Sequence, residues 1–149
     1  MIKISRKMEY SLMALQYIRK NGESKWVSTR EICSTLGVPF DTMSKVMQLM
    51  HLHGIIESGR GVKGGYQLSK NLSTISYATL NEIIEQEENQ ESSGCFKQCD
   101  LSEQCIIKDP ILKLNSKLLS FFQNITIGEL LTWEASEYLG QEGTYHDIQ

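Results

Sequence analysis

The chain has 149 residues, a formal net charge of −3, 40% hydrophobic and 22% charged residues, the balance of an ordinary globular protein rather than a disordered or fibrous one. That length supports one domain, or one domain with a helical arm, and excludes a multidomain enzyme; it also buries enough surface to fold without a disulfide or structural metal. No run approaches the ~18 uninterrupted apolar residues of a spanning helix, and Arg6, Lys7 and Glu9 interrupt any signal-sequence core, so a cytoplasmic protein with no membrane partner and with reduced or metal-bound cysteines is expected.

The modest net charge hides an asymmetry. Residues 1–75 carry eleven Lys/Arg against five acids, a balance of +6, and residues 76–149 carry four lysines against thirteen acids, a balance of −9. A basic half can dock on a polyanion while an acidic half stays clear of it. Chance segregation of solvated charge would give the same totals.

Residues 5–20 read as a helix with Met8, Leu12, Met13, Leu15 and Ile18 on its apolar face and Ser5 as N-cap. Asn21-Gly22 ends it. Ser28 followed by Glu31 is a capping-box signature for a short helix that stops at Gly37. Asp41 is expected to cap a third helix, in which Met43, Val46, Met47 and Met50 fall at helical spacing before Gly54. The brief link Gly37–Phe40 between these last two makes a helix-turn-helix pattern. Two short extended runs, Ile55–Glu57 and Tyr66–Leu68, flank a loop with glycines at 59, 61, 64 and 65 and predict a hairpin in the place of a wing. A fourth helix follows Ser76, with Leu80, Ile83 and Ile84 on its inner edge. From Pro110 a long helix presents Ile111, Leu114, Leu118, Phe121 and Phe122 along one side, an apolar stripe that needs a partner. Thr126 and Glu129 form another capping box. The expected class is therefore mostly α with a small β-wing: residues 1–75 as a winged helix-turn-helix DNA-binding domain, and residues 76–149 as a cysteine-loop sensor region with a dimerisation helix.

With its methionines turned inward, the third helix keeps Thr42, Ser44, Lys45 and Gln48 on its outer face, with His51 at its end. Short donors and acceptors, one amide and one cation suit base edges and phosphates in a major groove. Any solvated helix carries such residues; their place in a helix-turn-helix raises their weight. Ser28, Thr29 and Arg30 open the preceding helix, where free backbone N–H groups and the helix dipole favour a phosphate, although capping alone also accounts for Ser28. Arg60 and Lys63 at the wing tip supply charge suited to a narrow minor groove. No catalytic pair or nucleotide-binding glycine loop is present, so an enzyme is not expected.

Three of the four cysteines, Cys95, Cys99 and Cys105, lie within eleven residues. They exceed the needs of one disulfide and fall one short of a closed tetrahedral site. Thiolate-rich sites favour iron-sulfur clusters or zinc, and a metal-free redox function is also open. Cys33, in the second helix, reads as a small buried hydrophobe, and His51, His53 and His146 show no ligand spacing with the loop.

The start ISRKMEYSLMAL, the helix-turn-helix, the wing RGVKGGYQL at 60–68 and a three-cysteine loop before a long apolar helix together resemble the Rrf2 (Rrf-two) family of bacterial winged-helix regulators, IscR- and NsrR-type iron-sulfur sensors among them, over about residues 1–131. The resemblance implies a homodimer on double-stranded promoter DNA and a 2Fe-2S or 4Fe-4S cluster whose state or damage by nitric oxide, oxygen or iron scarcity alters affinity. It places Cys95, Cys99 and Cys105 at the cluster. Where IscR-type members have a histidine ligand this chain has Lys108; NsrR-type members use a carboxylate on the first helix of the other subunit, which implies Glu9 here. In a single chain Glu9 has the plainer role of favouring the helix N-terminus or pairing with Arg6.

Overall fold

The computed structural model describes residues 4–22, 25–61, 64–85 and 105–133. Ser5 opens α1 (Arg6–Asn21) by accepting a hydrogen bond from the Met8 N–H at 3.1 Å. The face of α1 that goes inward is Met8, Ser11, Ala14, Leu15 and Ile18, and buried Ser11 satisfies its hydroxyl on the Met8 carbonyl at 2.7 Å. Met13, expected on this face, is half-exposed. Ser28 caps α2 (Thr29–Leu36) by accepting from the Glu31 N–H at 3.1 Å, and Gly37 ends it at φ +68°, a conformation that favours glycine.

The third helix, α3 (Phe40–Leu52), departs from expectation at its start. Pro39 precedes it with no side-chain cap, and the Met43 N–H already bonds to the Pro39 carbonyl at 3.1 Å. Helical hydrogen bonding thus begins before Asp41, which lies in the first turn and complements the dipole from there. Met43, Val46, Met47 and Met50 are buried as the spacing required, each contributing roughly 1.5–3 kcal/mol of apolar burial.

Strands β1 (Ile56–Gly59) and β2 (Gly65–Leu68) pair antiparallel in the register Ile56 to Leu68, Glu57 to Gln67, Ser58 to Tyr66 and Gly59 to Gly65. A two-stranded hairpin is marginal alone in water. This one is docked through a bridge between Val27 and Tyr66, whose N–H···O bonds measure 3.0 and 2.8 Å. Two of the wing glycines serve that docking: a Cβ on Gly59 would lie 2.7 Å from the Trp26 ring, and one on Gly65 would lie 2.7 Å from the Val27 backbone. Gly61 turns the tip at φ +105°.

A 3-10 turn (Leu72–Thr74) leads to α4 (Tyr77–Ile84), capped by Ser76 as expected. The long helix α5 (Lys108–Asn124) holds Pro110 in its first turn and buries none of its residues fully. Leu112, Leu114, Leu119 and Phe121 stand exposed along it, while Phe122 stacks on Tyr77 at 4.9 Å between ring centres. After it the chain runs back along the start of α4: Tyr77 N–H bonds to the Ile125 carbonyl at 2.9 Å and Ile127 N–H to the Ile75 carbonyl at 2.8 Å. Thr126 then caps α6 (Ile127–Leu130) on the Glu129 N–H. Leu80, Ile84, Ile125 and Ile127 share one apolar core with Met8, Met43 and Ile56. The molecule is mostly helical with a small two-stranded sheet, and no helix among the described residues is long and apolar enough to cross a membrane. A helix read on from Thr126 to Leu139 instead ends at Leu130, where Leu131 is the C-cap and residues 131–133 are non-helical; its remainder lies outside the described residues.

Candidate functional site

Three elements meet at the wing. Val27 holds the base of β2 from one side, and the next three residues, Ser28, Thr29 and Arg30, are the cap and first turn of α2. Gly65 is close enough to this junction that a Cβ there would stand 3.0 Å from the Ser28 nitrogen. The end of α3 holds the other side, where the His51 ring meets the Ile56 carbonyl at 3.2 Å and Ser58 Oγ at 3.4 Å. The wing is therefore held at the start of α2 by Val27 and at the end of α3 by His51.

Of the residues expected to contact DNA, Arg30, Lys45, Gln48 and Arg60 are exposed, and Ser28, Thr29, Thr42 and Ser44 are half-buried. Thr42, Lys45 and Gln48 line a groove with Asp41, Leu52 and Lys7 of α1. Lys63 lies outside the described residues. The α2 N-terminus carries a carboxylate as well: Glu31 sits in its first turn, bound by Lys25 Nζ at 2.6 Å and by the Tyr17 hydroxyl at 3.1 Å. The Lys25 hydrogen bond is the main reason that the Glu31 carboxyl titrates below its ordinary range. Arg30, next to Glu31 in the first turn of α2, is exposed.

His51, expected at the end of the outer face of α3, turns instead to β1, and the bare backbone of Gly59 lies against the Trp26 ring. The signal for His51 was its place in the last helical turn directly before a hairpin. The signal for Gly59 was Trp26, a large ring just ahead of the Val27 bridge that requires a bare backbone to lie on.

The cysteine region is described only at its end. Cys105 is half-buried with a free thiol, and its carbonyl accepts from the Lys108 N–H at 3.3 Å, so it stands at the threshold of α5. Cys95 and Cys99 lie outside the described residues. Glu9 is exposed, one turn into α1. Among the described residues no three His, Cys, Asp or Glu side chains converge as a metal site. Cys33 is half-buried against the core, and burial pushes its thiol above the ordinary value, as suits a packing residue. Cysteine sulfur joined by one harder carboxylate oxygen would suit iron chemically.

Residues 4–132 match the Rrf2 family, described as an iron-dependent transcriptional regulator. The chain is similar to the HTH-type transcriptional regulator IscR of Escherichia coli (strain K12 / DH10B), 26% identical over 147 residues that cover 97% of this chain and 88% of the relative. Its fold is similar to that of CymR (YrzC), the global cysteine regulator of B. subtilis, with a TM-score of 0.69 at 17% identity over 90% of this chain and 99% of that one. The oxidized form of Staphylococcus aureus CymR gives a TM-score of 0.65 at 21% identity, covering 89% and 98%. These relatives are regulators of transcription or of cysteine by name, and none is an enzyme by name. With a match over most of its length and a winged helix-turn-helix as its scaffold, the chain belongs to the Rrf2 family of transcriptional regulators.

Proposed function

We propose that this regulator binds double-stranded promoter DNA as a homodimer and that an iron-sulfur cluster, 2Fe-2S or 4Fe-4S, controls its affinity. The observation that carries the DNA reading is a helix-turn-helix, α2 and α3, with the wing docked on both, through Val27 just before α2 and His51 at the end of α3. Thr42, Ser44, Lys45 and Gln48 meet base edges and phosphates in the major groove, Ser28, Thr29 and Arg30 hold a phosphate, and Arg60 with Lys63 reaches the minor groove. The exposed apolar side chains of α5 supply the dimer contact.

Cys95, Cys99 and Cys105 would hold the cluster, with the partner subunit's Glu9 as the fourth ligand. The family description and the similarity to IscR support the iron reading. When bound, such a group supplies a centre sensitive to nitric oxide, oxygen or iron supply. The protein's part is transmission. α1 is tied at the end of α4 and just after α6: Ser5 donates to the Glu85 carboxylate, while Gln16 and Arg19 donate to the Leu131 carbonyl at 3.2 and 2.9 Å. A change in how the cysteine segment is held therefore bears on α1, which packs on α3. A shift in α3 changes the spacing of two recognition helices on half-sites about one helical turn, or a multiple of it, apart.

A second reading keeps the fold and replaces the cluster with zinc or with metal-free redox thiols; the similarity to a CymR solved in an oxidized form favours the thiol version. Operator binding by fluorescence anisotropy, with iron-loaded and metal-free protein at one salt concentration, tests the proposal. Different affinities support cluster control, and equal affinities remove it while leaving DNA binding in place.

A further inference from the structure

We propose that His51 is a positioning residue for DNA recognition: it sets the wing, and with it Arg60, at a fixed angle to the recognition helix α3. The inference rests on the DNA-binding reading above and adds a role for a side chain outside the DNA-contacting set.

A carbonyl oxygen can only accept, so the 3.2 Å contact between His51 Nδ1 and the Ile56 oxygen fixes the proton on Nδ1. In the neutral ring Nε2 is then an acceptor, and Ser58 Oγ at 3.4 Å is its donor. Both partners belong to β1. Ser58 stands opposite Tyr66 in the hairpin register, which puts their side chains on one face of the sheet. The Tyr66 ring meets the imidazole edge-on at 6.0 Å between centres. One imidazole on the last turn of α3 thus touches the first and third residues of β1 and the ring facing the third. Arg60 follows two residues after Ser58. The chain between α3 and β1 turns at Gly54, φ +66°, with the Gly54 and Ile55 N–H groups bonded to the His51 and Met50 carbonyls at 2.9 Å, and the His51 side chain carries the contact on to Ser58. Val27 and Trp26 dock the wing to the α1–α2 connection; among side chains on α3, His51 supplies its hydrogen bonds to the wing.

The test is a double-mutant cycle between His51 and Arg60, read by anisotropy on a fluorescein-labelled duplex selected from random-sequence DNA by the wild-type protein. His51→Ala and Arg60→Ala are each expected to weaken binding about tenfold, the order of one lost polar contact to DNA. If His51 acts through the wing, the double variant is also weakened only about tenfold, because a misaimed Arg60 has nothing left to lose. His51→Asn, whose amide nitrogen stands in for Nδ1–H, should return binding to within about threefold of wild type and covers the case in which the alanine variant folds poorly. Multiplicative losses near a hundredfold, no loss for His51→Ala, or an asparagine variant as weak as alanine would each overturn the proposal. Failure of the wild type to select any duplex would instead reject the DNA-binding reading on which it stands.

Discussion

Ser5 and Glu85, eighty positions apart, meet in a hydrogen bond in which the serine hydroxyl donates to the glutamate carboxylate. The same hydroxyl oxygen accepts the Met8 N–H and so closes the first turn of α1. Glu85 is only 8% exposed and ends α4, immediately before the cysteine-bearing segment. One side chain therefore caps the first helix and satisfies a buried acid at the exit from the core.

Ser5→Ala removes both functions. It is expected to cost about 1–3 kcal/mol, a lost N-cap combined with a buried carboxylate short of a donor, measured by urea unfolding. Ser5→Thr keeps the hydroxyl and should recover most of the loss. An alanine variant as stable as wild type would show that the contact carries no weight.

Gly59 and Gly65 both forbid a side chain, for different reasons, and that difference is measurable. At Gly59 the obstacle is the Trp26 ring, and at Gly65 it is the Val27 backbone. Alanine at either position should destabilise by about 1–3 kcal/mol through overpacking. Adding Trp26→Leu should relieve Gly59→Ala and leave Gly65→Ala unrelieved. Equal relief of both in thermal melts would mean that the two clashes have one cause.

The outline of the fold was legible because local signals agreed. Ser28 and Thr126 cap the helices that their capping-box spacing announced, Ser5 and Ser76 cap the helices that begin after them, and the α3 methionines fell on one buried face. Asp41 misled because a good capping residue two positions past the true cap reads the same in sequence as the cap itself; Pro39 and Phe40 set the start instead. The contacts of long range were invisible. Nothing local announces that Trp26 will lie on Gly59, that Glu85 will find Ser5, or that Arg19 will reach the Leu131 carbonyl. His51 was missed for the same reason, since its partners are fixed by the path of the hairpin and not by its own helix.

Glu31 gives the molecule an acid-sensitive point. Its carboxyl is held below the ordinary range, first by the Lys25 hydrogen bond and with further help from Tyr17. A depressed folded value means that the unfolded chain takes up the proton first as pH falls. The stability it contributes is present above the ordinary glutamate value, about 4.3, and is lost as pH falls through the lower folded value. Glu31→Gln should flatten the decline of Tm with pH in that acid range and leave its pH dependence near neutrality unchanged. An identical acid limb in the variant would contradict the assignment.

The exposed side chains of α5 give a direct test of the dimer. Leu114 and Phe121 are 52% and 57% exposed in the single chain, so Asp at either position should leave the far-UV circular dichroism of the folded subunit unchanged. Sedimentation equilibrium should show the wild type as a dimer and the Leu114→Asp, Phe121→Asp variant as a monomer. A dimer that survives both changes would place the interface elsewhere.

Iron and sulfide analysis of protein purified without oxygen, alongside its visible spectrum, tests the cluster most directly. The wild type and Cys33→Ala are expected to contain iron and acid-labile sulfide with coloured spectra, because Cys33 is a packing residue with a thiol raised by burial; Cys105→Ala should contain neither. A colourless or zinc-loaded wild type, or iron retained in full without Cys105, would contradict the account.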